Sequence, residues 1–461
     1  MRGPSATRRE LLREAMAVVV GSSVVGSSVV GITSAEATER EFNQRTYAVD
    51  ARHTGFVDAN HLPKEDDKVT QEWEFDIGDT VQDRVTSSPA LVDGTLYFGS
   101  WNEHVYAVDA DDGTQEWRTH VYTDVRTSPA VVDGMVYVGA GPDLWATAGH
   151  LYALDAETGT IEWEFEPQHA DEPGRSEKVG ASPVVVDGTV YVGTKDSYLY
   201  ALDADSGEKR WEFDAGGWVK FAPAVTSDTV YVPAAQGGGA IVAVNRSDGT
   251  ERWRYDIGDW TGLANGSPTV SDGRVIVGVE ESEYKLLALG VDEGEKLWTR
   301  TFPHPFGDTV AVAHGSVYVH NDELYALDPT DGSQQWMAEI GSGYRSSPLV
   351  VGDIVIACGD TTYAVDAGSG DVYWSIPGGG GGHVAVGADR IYVPQLGGKV
   401  YGYSIASGSS GEALSGLAAD YDADGDGEIT VSELVTAAED YAHGDLSLGE
   451  LADVAAVFAD S

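Results

Sequence analysis

The sequence predicts an all-β fold, an eight-bladed β-propeller closed by its own N-terminal strand, with a small α-helical module behind it. Two observations carry the propeller. A string close to LYALDAETGTIEW (151–163) recurs at 105–117, 199–211, 241–253, 286–298, 324–336 and 362–374. Its copies start 38 to 48 residues apart, the period of a solenoid, a propeller or an array of small units. Each copy also lies among alternating apolar residues broken by Asp-Gly turns, which is the hairpin pattern, and no helical period competes. A third observation, the acidic stretch DADGDGEITVSE at 422–433, predicts the helical module.

Length and charge bound the rest. The chain has 461 residues, enough for several ordinary domains or one large array. Its 75 acidic and 28 basic residues give a formal charge of −47, spread along the chain. Such a surface repels nucleic acid and anionic lipid, so neither is an expected partner. The 12 Trp and 22 Tyr argue against a disordered acidic chain. A folded protein adapted to high salt fits better, because ions screen the self-repulsion. Cys358, in DIVIACGD, is the one cysteine. It allows neither an intrachain disulfide nor a Cys-based metal site, and reads as a buried thiol.

Residues 1–37 read as an export signal. Arg8 and Arg9 precede the apolar stretch AMAVVVGSSVVGSSVVGI, and Ala35-Glu36-Ala37 offers a small-x-small cleavage site. The Arg pair resembles a twin-arginine signal, which implies an extracellular or cell-surface protein. The apolar stretch is short and diluted by Gly and Ser, favouring cleavage over a membrane anchor. No later segment is apolar enough to span a bilayer, so no membrane span is expected after cleavage. Residues 38–67, including DARHTG, read as a lead-in with no assigned chemistry.

The propeller is assigned to 68–406. The fixed points of the repeat are Ala107, Asp109, Gly113 and Trp117, then Ala153, Asp155, Gly159 and Trp163, and so on to Ala364, Asp366, Gly370 and Trp374. Asn245 and Gly290 replace the Asp in the fourth and fifth copies. Each unit reads as four strands: SPAVV (128–132), an Asp-Gly turn, VYVGA, a loop, LYALD, a turn at ETG, and a short strand carrying Trp163. Gly supplies positive φ in the turn, and Asp accepts bonds from turn amides. Ala leaves room for an indole, whose burial is worth at most about 4–6 kcal/mol gross. Seven Trp close seven units. An eighth begins at HVAVGADRIYVPQ (383–395) and continues to VYGYSIASG (400–408), with no Trp after Gly408. The missing strand is expected from VTQEWEFD, which carries Trp73. Closing a ring in this way removes exposed sheet edges.

These repeats resemble the tryptophan-docking repeat of the pyrroloquinoline-quinone (PQQ)-type β-propellers, over about residues 43 to 405. In the quinone dehydrogenases of that family an adjacent Cys pair usually lies by the cofactor, and calcium bridges the quinone to carboxylates. This chain cannot make the pair, and no constellation of catalytic Asp with calcium ligands can be read on the propeller. Some soluble relatives manage without the pair. The reading is therefore a non-catalytic binding or scaffold propeller, with a PQQ-dependent alcohol or aldose dehydrogenase as the alternative.

Four Trp fall outside the repeat positions. Trp101 and Trp145 lie in middle-strand loops, and Trp218 and Trp260 in blade-to-blade loops, so all four map to one face of the ring. Three residues before the inner-strand proline stand Arg126, Lys220, Asn265 and Arg345 in four blades. Together they suggest a ring of cations and aromatics near the channel mouth for a small planar or anionic ligand, such as a quinone or an acidic carbohydrate. The alternative is that the cations balance an acidic rim and the Trp pack loops. The run PGGGGGH (377–383) has no helix after it and reads as a loop, not a phosphate site.

Residues 407–416 form a Gly/Ser-rich linker to the module at 417–461. Asp422, Asp424 and Asp426 stand at positions 1, 3 and 5 of an EF-hand calcium loop, with Gly427 at the sharp turn. Glu428 offers its carbonyl at 7, Thr430 stands at 9, and Glu433 closes bidentate at 12. A second loop at 439–450 keeps Gly444, Leu446, Ser447 and Glu450 but has Glu439, Tyr441 and His443 at positions 1, 3 and 5. It is expected to fold without a tight ion. The paired module resembles a dockerin, which implies a cohesin-like protein partner at the cell surface. A calcium-dependent stability clip is the other reading.

Overall fold

The computed structural model describes residues 49–57, 62–64, 69–78, 80, 83–141, 149–169, 179–235, 239–258, 263–264 (backbone alone), 266–341, 347–379, 382–387 and 390–405. All lie within one compact unit, 34–407. The described residues form eight sheets, antiparallel apart from one short parallel strand, and no helix. In blade 1 the chain runs outward through Ala90–Val92, Thr95–Ser100, His104–Asp109 and Gln115–His120. Blade 2 repeats this with Ala130–Val132, Met135–Ala140, His150–Asp155 and Ile161–Phe165. Blade 5 departs slightly: Leu263–Ala264 adds a short strand beside Arg274–Glu280. The expected signal at 1–37 and calcium module at 417–461 lie outside the described residues.

Blade 8 is built from both ends of the propeller. Ala385–Val386, Arg390–Gln395 and Lys399–Ile405 supply three strands, and Val69–Asp76 supplies the outermost. Trp73 stands opposite Gly402 and Glu74 opposite Tyr401. Lys399 forms ion pairs with Glu74 and Asp76 across this seam. The ring is therefore stitched by sheet hydrogen bonds, as the unpaired VTQEWEFD strand predicted.

Between blades the contacts repeat. In every full copy the Trp faces the small Ala across its own sheet, for example Ala107 opposite Trp117 and Ala201 opposite Trp211. The indole then reaches the next blade. Trp73 donates to the carbonyl of Ala110 (3.1 Å), Trp117 to Ala156 (2.9 Å), Trp163 to Ala204 (2.9 Å) and Trp336 to Ala367 (3.0 Å). The ring lies on the next turn's glycine. A Cβ on Gly159 would fall 2.6 Å from Trp117, and one on Gly207 2.7 Å from Trp163. These glycines also have φ of +70°, so the position excludes a side chain twice over. Apolar layers fill the space between neighbouring sheets; Tyr97, Val105 and Trp117 of blade 1 pack with Val131, Val138 and Tyr152 of blade 2.

The lead-in, to which the sequence assigned no chemistry, lies against the inner strands. Inner strands Ala224–Val225, Thr269–Ser271, Ala311–Ala313 and Leu349–Val351 belong to blades 4 to 7. At one register in each, an amide donates to a lead-in carbonyl: Val225 to Ala51, Val270 to Arg52, Val312 to Thr54 and Val350 to Gly55. Phe56–Val57 then runs parallel to Leu349–Val351. The Asp50 carboxylate holds the curl together, accepting from the amides of Arg52 and Thr54 and from the Thr54 hydroxyl. Further on, Pro63 supplies the carbonyl to which Trp374 donates, at 2.7 Å. Blade 8 is divided between two chain segments at the turn where the other blades offer that carbonyl, and the lead-in fills the place.

Candidate functional site

The loops after each second strand and the loops joining successive blades share one face of the ring. Backbone bonds link them: Trp101 donates to Arg84 O, Val125 to Ser100 O, Val219 to Thr194 O and Ala235 to Trp218 O. Residues four before each inner strand therefore stand at the inner rim of this face.

A belt of side-chain hydroxyls runs beneath that rim. The amide of Ser88 donates to Ser128 Oγ, Ser128 to Ser182 Oγ, Thr309 to Ser347 Oγ and His383 to Ser88 Oγ, at 2.8–3.0 Å. Each hydroxyl belongs to the residue just before the inner-strand proline, so the belt couples neighbouring blades at the level of the ring. Sequence reasoning missed it, although the recurring Ser-Pro in SSPA, TSPA and ASPV was the signal. Its bonds fix the order of the rim: Thr86, Arg126 and Gly180, each two residues upstream of a belt serine, are successive neighbours.

Two of the sequence-predicted residues meet directly. The Arg126 guanidinium lies 3.6 Å from the centre of the Trp101 ring, and Arg84 lies 5.0 Å from it. The indole N–H of Trp101 donates to Thr86 Oγ1 (2.8 Å). Arg126 also pairs with Asp124 (2.9 Å). Arg84 was not singled out from the sequence; among the described residues it has no carboxylate partner. Trp218 and Lys220 share a loop two blades on. Lys195, also missed, lies 5.7 Å from the Trp218 ring, and Lys220 lies 4.6 Å from the ring of Phe221. A Cβ on Gly180 would lie within 4 Å of both Lys195 and Lys220. Trp145, Trp260, Asn265 and Arg345 lie outside the described residues.

Other features of the face are smaller. Tyr122 projects from the loop beside Trp101, 73% exposed, at φ +63° and edge-on to His120 (4.5 Å). Between blades 6 and 7 a recess of about 190 Å³ is lined in part by His320, Asp360, Thr361 and Tyr363. Deeper, His53 and His383 are buried, and His53 Nδ1 donates to Pro268 O (3.0 Å). Burial pushes both imidazoles down to about 4, and repulsion from His53 adds to the effect on His383.

The chemistry of the donor set decides what group it suits. Cys358 ends the strand Ile354–Cys358, buried, with its thiol pushed up to about 11 by burial. Among the described residues no group of three or more His, Cys, Asp or Glu is placed to hold a metal. With one cysteine the chain cannot form a vicinal Cys pair. What the described residues of the face offer is cations seated on aromatic rings.

These features define a closed eight-bladed propeller of the PQQ-like repeat class, with a cation–aromatic loop face. Residues 66–212, 172–309 and 282–412 match the model of the family described as outer membrane protein assembly factor BamB, and the chain belongs to that family. No curated protein matches it. Among solved structures it is similar to the quinohemoprotein alcohol dehydrogenase from Comamonas testosteroni, at 17% identity and a TM-score of 0.66, covering 89% of this chain and 87% of that one. It is similar to a europium-containing methanol dehydrogenase at 14% identity and a TM-score of 0.64, covering 80% and 99%. BamB from Moraxella catarrhalis is similar at 19% identity and a TM-score of 0.56, covering 73% and 97%. At these identities the likeness is one of fold. Among the described residues no helix is long and apolar enough to cross a membrane.

Proposed function

We propose that this protein is an exported, salt-adapted binding or scaffold propeller without catalytic chemistry of its own. On this reading the indole–carbonyl contacts between blades are the tryptophan-docking motif of the family, and they make the ring a rigid mount for its loop face. The observation that carries the reading is the Arg126–Trp101–Arg84 cluster. In a chain with 75 acidic residues, cations kept on aromatic rings at the rim suit a small anionic or carbohydrate ligand. The C-terminal module would hold one calcium ion through Asp422, Asp424, Asp426, Glu428, Thr430 and Glu433, and would either clip the tail or dock a cohesin-like protein partner at the cell surface.

The test uses the mature chain in calcium and high salt. Capture of a partner from cell-surface extract, abolished by a chelator and by Glu433→Gln, is the expected result. The fold of the dehydrogenases motivates the competing reading, a quinone-dependent alcohol or aldose oxidation. A quinone absorbance in the purified protein, together with dye reduction on alcohols or aldoses, would establish that reading and overturn ours.

A further inference from the structure

We infer that the arc of the loop face over blades 1 to 4 takes an acidic oligosaccharide in two places at once. This rests on the anion-binding reading of the same face and adds to it the class and length of the ligand.

One seat is the Arg84–Trp101–Arg126 cluster. A guanidinium stacked on an indole still presents N–H groups at its edge to a carboxylate or sulfate, and stacking limits the entropy lost on binding; Arg126 spends one such group on Asp124. Arg84 has no carboxylate partner among the described residues, although the chain is rich in them. The second seat is Lys195 on Trp218 with Lys220 on Phe221, both within 4 Å of a Cβ built on Gly180. The hydroxyl belt makes the seats near neighbours. Ser88, Ser128 and Ser182 bond in sequence, so the rim positions of Thr86, Arg126 and Gly180 follow one another, with the side chain of Lys220 beside Gly180. A ligand with one negative charge fills one seat, whereas one with several spans both and gains by effective concentration.

Tyr122 points to a sugar rather than a peptide. A tyrosine rarely adopts φ +63°, and strain of this kind collects at working sites. Here it presents an exposed ring, beside the first seat, to the flat face of a pyranose. A long nucleic acid is disfavoured, since it would run past the arc over the acidic surface, whereas a short oligosaccharide stays on the two seats.

Calorimetric titration of the full chain at one fixed salt concentration tests this. The probes are galacturonate, oligogalacturonates of three and six residues, neutral dextran oligomers and oligothymidylate. The six-residue chain should bind at least tenfold more tightly than galacturonate. Arg84→Gln with Arg126→Gln, or Lys195→Gln with Lys220→Gln, should bring it back to the affinity of the monomer, with unchanged circular dichroism and melting temperature. Tyr122→Ala should weaken the six-residue chain severalfold. Equal affinity for monomer and hexamer would overturn the two-seat inference and leave an anion-binding face standing. Failure of every galacturonate to bind would remove both. Equal binding of dextran or oligothymidylate would overturn the choice of an acidic sugar.

Discussion

At the scale of single residues, two glycines of blade 2 separate strain from crowding. Gly134 and Gly159 have similar positive φ, +77° and +70°. Nothing lies within 4 Å of a Cβ built on Gly134, whereas Trp117 lies 2.6 Å from one on Gly159. Gly134→Ala should cost about 1–2 kcal/mol, the left-handed penalty alone. Gly159→Ala adds overpacking of about 1–3 kcal/mol, and should shift the denaturant midpoint further without changing the slope. The buried histidines make a second prediction. The unfolded chain takes protons on His53 and His383 as pH falls through 6.5, but the folded ring resists until about 4. Stability is therefore full above pH 6.5 and declines from there to about 4, by at most about 3 kcal/mol per imidazole. Asp50 opposes the shift at His53, so the decline should be steeper in Asp50→Asn. Denaturant midpoints measured from pH 7.5 to 4 would show it, and His383→Gln should flatten the slope.

At the scale of elements, the lead-in is held by one carboxylate and a row of backbone bonds. Asp50→Ala should loosen them together. Amide exchange at Val225, Val270, Val312 and Val350, the four donors to the lead-in, should speed up in concert, while Leu91, Val131 and Val185 at the same register in blades 1 to 3 stay unchanged. Exchange followed by NMR checks this. The lead-in also marks the limit of what could be read beforehand. The blades were legible because their determinants are side chains at fixed spacing: Ala107, Gly113 and Trp117 announce a strand, a turn and a contact. The lead-in binds through its own carbonyls, which every residue has, so DARHTG gave no sign of its place. At the face, Trp101 and Arg126 were both chosen from the sequence, and their side chains stack. Arg84 and Lys195 were not, because the reading followed the position three residues before the proline, and both lie outside it. The serine before the proline did recur, but a small hydroxyl beside a turn reads as local capping until its bond to the next blade is seen.

At the scale of the whole molecule, a formal charge of −47 over the chain predicts that salt stabilises the protein. Lowering salt lengthens the reach of like-charge repulsion from about 3 Å at 1 M to about 10 Å at 0.1 M. The melting temperature at fixed calcium should fall steadily over that range, more than that of a ring of balanced charge. The seam between Val69–Asp76 and Lys399–Ile405 bears on the same question. A chain ended before Lys399 should lose cooperative unfolding altogether, because all eight sheets lean on one another in a circle. The seam also joins what biosynthesis keeps apart. The ribosome releases Val69–Asp76 early and Lys399–Ile405 only near the end, so the first strand made must wait for the last. Until then it is an adhesive ribbon open to other nascent chains, and the ring cannot close before Lys399–Ile405 has left the ribosome.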